Sequence, residues 1–212
     1  MTAELGLRER KKQQTRQLIF ETASRLFAER GFDAVTVAEV ARAADVSEVT
    51  VFNYYPTKED LYFGGMEAFE ARLVEAVRDR PSGEPVLDAF ARPVDAGFEN
   101  LLDPDRTPLI ARSATLVAAS AALQAREREV VARYTRALAL VLAAETGAHD
   151  TDVEAWTVAS ALMSAHRALV AFVRGRVLAG MHGAPLVAEA RTEAARAFAR
   201  LARGLGGYPS DR

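Results

Sequence analysis

No cysteine occurs in the 212 residues, so disulfides, thiolate metal sites and cysteine nucleophiles are excluded. Lysine is almost as scarce, confined to Lys11, Lys12 and Lys58. No uninterrupted apolar run approaches the roughly 18 residues of a membrane-spanning helix. The first residues, MTAELGLR, lack the basic-then-apolar pattern of a secretory signal, so a soluble, cytoplasmic chain is expected. HExxH, GxSxG, P-loop and GxGxxG patterns are missing, and His149, His166 and His182 have no metal-ligand spacing. No carboxylate pair stands out for acid–base work. Neither metal, cofactor nor catalytic site is therefore expected, and the chain is read as something other than an enzyme. Strand-like alternation is absent too, which leaves an all-α fold.

Half of the residues are hydrophobic, ample for a core and too many for a disordered chain. The net charge of −2 conceals a local excess: RERKKQQTR, from Arg8 to Arg16, carries five cations and one anion. Such a run fits a solvated helix start as well as a nucleic-acid contact.

Helical period runs through every long segment. Leu18, Ile19, Thr22, Ala23, Leu26 and Phe27 form one stripe, which Gly31 stops as a left-handed C-terminal residue. Thr36 and Glu39 have capping-box spacing and open a short second helix with Val37, Val40, Ala41 and Ala44 on its apolar side. Asp45-Val46-Ser47 reads as a turn, and Ser47 as the N-cap of a third helix over about 47–55 that Pro56 ends. Thr57 and Asp60 suggest another capping box at the head of a fourth helix to about Arg80. Beyond the Pro81–Pro85 break, five more helices are expected near 86–102, 106–118, 120–146, 150–179 and 184–205, about nine in total.

Two short helices joined by a tight turn, braced by a first, constitute a helix-turn-helix arrangement. On the third helix Val46, Val51 and Tyr55 should face inward, leaving Glu48, Val49, Thr50, Asn53 and Tyr54 outside. Exposed Thr, Asn and Tyr on so short a helix add little to stability, and suit phosphate and base-edge contacts. Short helices with tight turns are also ordinary in all-α proteins.

The stretch AERGFDAVTVAEVARAADVSEVTVFNYYPTKEDLYFGGM resembles the DNA-binding domain of tetracycline-repressor-type (TetR family) regulators. The resemblance implies a helix-turn-helix domain over 8–56, a connecting helix over 57–80, and a larger ligand-binding and dimerisation domain over 81–212. By it, Thr36, Ser47, Tyr54 and Lys58 match phosphate-contacting positions, and Glu48, Val49 and Asn53 base-reading ones. Thr50 matches a base or phosphate contact, while Arg8, Lys11, Lys12 and Arg16 would supply an N-terminal extension reaching phosphates or the minor groove. Three departures stand out: Asp45 where glycine is frequent in the turn, Phe52 for a frequent tyrosine, and acidic Glu48 where a cation is common. Asp tolerates the left-handed region, Phe52 is expected to pack, and Glu48 could accept from cytosine N4 or repel phosphate.

The partners so implied are double-stranded DNA with a near-palindromic operator, a small effector, and a second copy of the chain. The dimer interface is expected on the helices near 150–179 and 184–205, where small residues permit close approach. Candidate effector contacts are Met66, Phe69, Phe98, Arg112, Leu116, Tyr134, Trp156, Met163, His166 and Arg167. A cation beside an apolar cavity would suit a fatty acyl or other amphipathic acid. The expectation is a homodimeric repressor released by such an effector; the alternative is a helical protein-interaction module whose head no longer binds DNA.

Overall fold

The structure, a computed structural model, describes residues 6–205. Among these every regular element is helical: α1 Leu7–Arg30, α2 Val37–Ala43, α3 Glu48–Tyr54, α4 Lys58–Arg78, α5 Val86–Phe98, a 3-10 turn Glu99–Leu102, α6 Arg106–Ala119, α7 Ala121–Thr146, α8 Val153–Leu178 and α9 Gly183–Leu205. The chain forms two units. One runs up to Glu67 and takes in Leu116–Arg126; the other holds Ala68–Thr115 and the chain from Glu127 onward.

The first unit is built on caps and aromatic packing. Gly31, at φ 86, closes α1 by donating its N–H to the Phe27 carbonyl at 2.9 Å. Thr36 and Glu39 form the full capping box of α2. At the start of α4 the Thr57 N–H donates to Asp60 Oδ2 at 3.0 Å, and the Asp60 N–H to Thr57 Oγ1 at 3.0 Å. Behind these, Ile19, Ala23, Phe27, Phe32, Val40, Val51, Tyr55 and Leu61 make one buried cluster. The apolar stripe of α1 is narrower than its spacing suggests: Leu18, on its edge, is 48% exposed. Phe20 lies directly against α4, where a Cβ on Gly64 would meet both Phe20 and Tyr55 rings at 3.0 Å. That close approach holds α3 through Tyr55 and is why α4 carries glycine mid-helix.

The break at Pro81–Pro85 proves to be only the turn between α4 and α5. The boundary between units falls inside α4, because its successive turns bury into different cores. Leu61 and Phe63 belong to the first cluster, whereas Leu73, Val74 and Val77 are buried further along the helix in the second unit. In that second unit α9 packs on α8, α5 and the 3-10 turn. Arg80 closes the C-terminal end of α4 with a two-pronged ion pair to Glu145 on α7. Helix α8 has the length and mean hydropathy, 1.3 over its most apolar window, of a helix able to cross a bilayer. Its buried face, including Ala155, Val158, Leu162, Leu169 and Val173, belongs to the core of this unit.

Candidate nucleic-acid interface

The turn between α2 and α3 is held by backbone bonds. The Val46 N–H donates to the Ala41 carbonyl at 3.0 Å, and Asp45 adopts φ 53. Asp replaces the usual glycine here at modest cost, since its short polar side chain tolerates the left-handed region. Ser47 caps α3 by accepting from the Thr50 N–H at 3.0 Å. Two residues then pin the helix from behind: Val51 is 1% exposed and Tyr55 4%. The Tyr55 hydroxyl donates to the Arg16 carbonyl at 3.2 Å, with the Arg16 guanidinium over its ring. Burial raises the Tyr55 phenol above its ordinary value, so the group stays a hydrogen-bond donor. Burying these two side chains contributes about 1.5–3 kcal/mol each.

With that side fixed, α3 presents Glu48, Val49, Phe52 and Asn53 to solvent. Val49 is 69% exposed, and Phe52, expected to pack, is 44% exposed. The reason is rotation: Val51 and Tyr55 define the buried side, and Phe52 lies about 100° round the helix from Val51. Thr50 and Tyr54 are half-buried; Tyr54 rests against the aromatic cluster, and Thr50 Oγ1 shares a 2.8 Å hydrogen bond with Ser47 Oγ. An exposed row of one carboxylate, two apolar groups and one amide can address base edges, where donors, acceptors and the thymine methyl alternate.

The hydroxyl and cationic groups are less uniform. Thr36 is exposed, but its hydroxyl donates to Glu39 Oε2 at 2.9 Å while accepting from the Glu39 N–H. In this structure the Thr36 hydroxyl proton is thus directed at Glu39. Glu39 also accepts from the Thr36 N–H at 2.8 Å and from Arg30 at 2.7 Å. The Thr36 backbone first, then Arg30 and the Thr36 hydroxyl, hold its carboxyl down at about 2 from an ordinary 4.5. Lys58 stands at the head of α4 with its ammonium 4.3 Å from the Phe32 ring centroid and 6.0 Å from that of Phe27. This cation–π seat steadies a flexible side chain without neutralising it. Lys11, Lys12 and Arg16 are exposed and lie on the first turns of α1, so this N-terminal extension is helical. The Arg8 side chain lies outside the described residues.

Residues 19–64 match the model for bacterial regulatory proteins of the tetR family. The regulator TcmR of Streptomyces glaucescens is 33% identical over 86 residues, covering 41% of this chain and 38% of TcmR. MftR of Mycobacterium tuberculosis is 28% identical over 166 residues, 74% of this chain and 80% of MftR. The likeness to the TetR family is carried by residues 19–64. A crystal structure of a TetR-family regulator from Streptomyces coelicolor A3 aligns with TM-score 0.53 at 23% identity, covering 87% of this chain and 93% of that one. These relatives are named as transcriptional regulators, not enzymes.

The ten effector candidates scatter. Met66 and Leu116 pack against the aromatic cluster of the first unit, because α4 and α6 each turn part of their length into that core. Arg112 and Arg167 are exposed; Arg167 follows inward-facing His166 and so points about 100° away. Trp156 is half-buried with its indole N–H donating to the Asp150 carbonyl at 3.0 Å, a bond that ties down the approach to α8. Tyr134 is half-buried under the Arg133 guanidinium, while Phe98 and Met163 are core residues of the second unit. Phe69 and His166 do come together, their rings stacked at 5.3 Å. Beside them lies an acid: His166 Nε2 is 3.3 Å from Oε1 of Glu70, which is 2% exposed. Glu70 was legible as a carboxylate on the stripe of Met66, Leu73 and Val77, and went unnoticed because apolar neighbours dominate that pattern.

Proposed function

We propose that the chain is a cytoplasmic, homodimeric, ligand-responsive transcriptional repressor that binds a near-palindromic operator through α3. The observation that carries this reading is the build of α3: anchored by Val51 and Tyr55, capped by Ser47, and exposing Glu48, Val49, Phe52 and Asn53 in a row. One such head addresses too few base pairs for useful specificity, and two related by a twofold axis read successive half-sites. The surface for the second copy is supported by small exposed residues on the two helices that pack together: Ser160, Ser164, Ala168, Ala171 and Gly175 on α8, and Ala188, Ala195 and Ala199 on α9. Helix α4 starts at Lys58 beside the recognition helix and ends among the core residues of the second unit. An effector that favours one setting of α4 and DNA that favours another weaken each other reciprocally.

The test is selection of bound duplexes from a random pool at two salt concentrations. A near-palindromic consensus with affinity falling steeply as salt rises is expected. Recovery of no consensus from effector-free protein would favour the interaction-module reading instead.

A further inference from the structure

Among the buried side chains of the second unit, Glu70 and His166 stand apart. The pair is bonded through His166 Nε2 and Glu70 Oε1 at 3.3 Å, with side chains 7% and 2% exposed. Its outer atoms, Glu70 Oε2 and His166 Nδ1, are buried with no hydrogen-bond partner among the described residues. Buried polar groups are ordinarily satisfied, so two orphaned atoms on one pair mark a place where a further group bonds. Around them the surface is apolar. Phe69 stacks on the imidazole, Gly97 lets Phe69 lie close to α5, and Leu162 and Met163 are buried one turn before His166.

We infer that Glu70 and His166 form the polar end of the effector site, and that it takes an uncharged, largely apolar ring compound bearing a hydroxyl or a carboxamide. The inference rests on reading the chain as ligand-responsive. A low-dielectric setting favours a pair that is neutral overall. Three arrangements meet that condition: carboxylate with doubly protonated imidazole, carboxylic acid donating to Nε2 with the ring proton on Nδ1, or carboxylic acid protonated at Oε2 with Oε1 accepting from Nε2–H. The first two leave Oε2 as an acceptor and Nδ1–H as a donor and the third reverses them, so each leaves one donor and one acceptor. The complementary group must offer one donor and one acceptor together. A hydroxyl or carboxamide does; a carboxylate lacks the donor and an ammonium lacks the acceptor. Since Glu70 lies on α4, whatever bonds to it acts on the helix that begins at Lys58.

The experiment is calorimetric titration of the full chain with 2-naphthol, 2-naphthamide, 2-methylnaphthalene and 2-naphthoate, with ring ¹⁵N shifts of His166 followed by NMR. The two neutral polar probes are expected to bind at least about tenfold more tightly than the other two and to move the His166 Nδ1 resonance. In the Glu70→Leu/His166→Phe double variant, which replaces the pair by apolar packing, 2-naphthol and 2-methylnaphthalene should bind equally. Equal binding by the unaltered protein, preference for 2-naphthoate, an unmoved His166 resonance or no binding of any probe would each overturn the inference. Duplex selection on the same sample separates the two readings. A consensus without probe discrimination removes only the effector assignment, and discrimination without a consensus removes only the DNA reading.

Discussion

Val49 and Phe52 place two large apolar groups in water on a helix otherwise fixed by burial. That exposure is unfavourable for the free protein and becomes favourable against thymine 5-methyl groups. Once an operator is in hand, replacing its thymines one at a time by deoxyuridine should weaken binding about fourfold at each methyl contacted, from about 0.8 kcal/mol per buried methyl. Val49→Ala should abolish the effect at one position only. Unchanged affinity at every position would show that the two side chains read no base. Lys58 acts differently, since its ammonium is aimed by aromatic rings and carries no sequence information. Lys58→Ala should weaken binding to all duplexes alike and reduce the slope of log affinity against log salt by about 1 in absolute value, measured by fluorescence anisotropy.

At the level of the element, the short helices depend on their caps more than on their length. Seven residues make too short a helix to persist alone, so α2 stands on its capping box and on Val40 and Ala41. Glu39 is the pH-sensitive part. Its folded value of about 2 lies below the ordinary 4.5, so its contribution is complete above the higher value. It is lost as pH falls through the lower one. Thermal melts from pH 6 to 2 should therefore show a steeper loss of stability in the native protein than in Glu39→Gln, with the two curves converging at the acid end. Parallel curves would place the carboxylate outside the stabilising network. The same box keeps the Thr36 hydroxyl bonded to Glu39, a contact that residue type alone does not show.

For the whole molecule, on the proposed dimeric reading, the decisive quantity is the strength of the contact between copies. Tethering two heads raises avidity by about 10²–10⁴ over one. A charge placed in the small-residue stripes, as in Ala168→Glu with Ala195→Glu, should yield a folded monomer by sedimentation, with operator affinity at least about 100-fold weaker. A stable dimer in that variant would move the interface elsewhere. Both substitutions are at exposed positions, so circular dichroism should be unchanged.

Local rules sufficed wherever one or two neighbouring residues decide the outcome. Gly31 ended α1, Thr36 and Ser47 opened α2 and α3, Pro56 closed the recognition helix, and the all-helical class followed from periodicity. These are short-range effects of backbone hydrogen bonding and steric limits, which a linear chain displays directly. Which core a helix turn joins is a different matter. Met66 and Leu116 went to the first unit, Phe52 turned outward, and Glu70 met His166 from 96 residues away in sequence. Burial depends on helices distant in the chain coming to lie together, and only the folded chain sets their rotation and contacts.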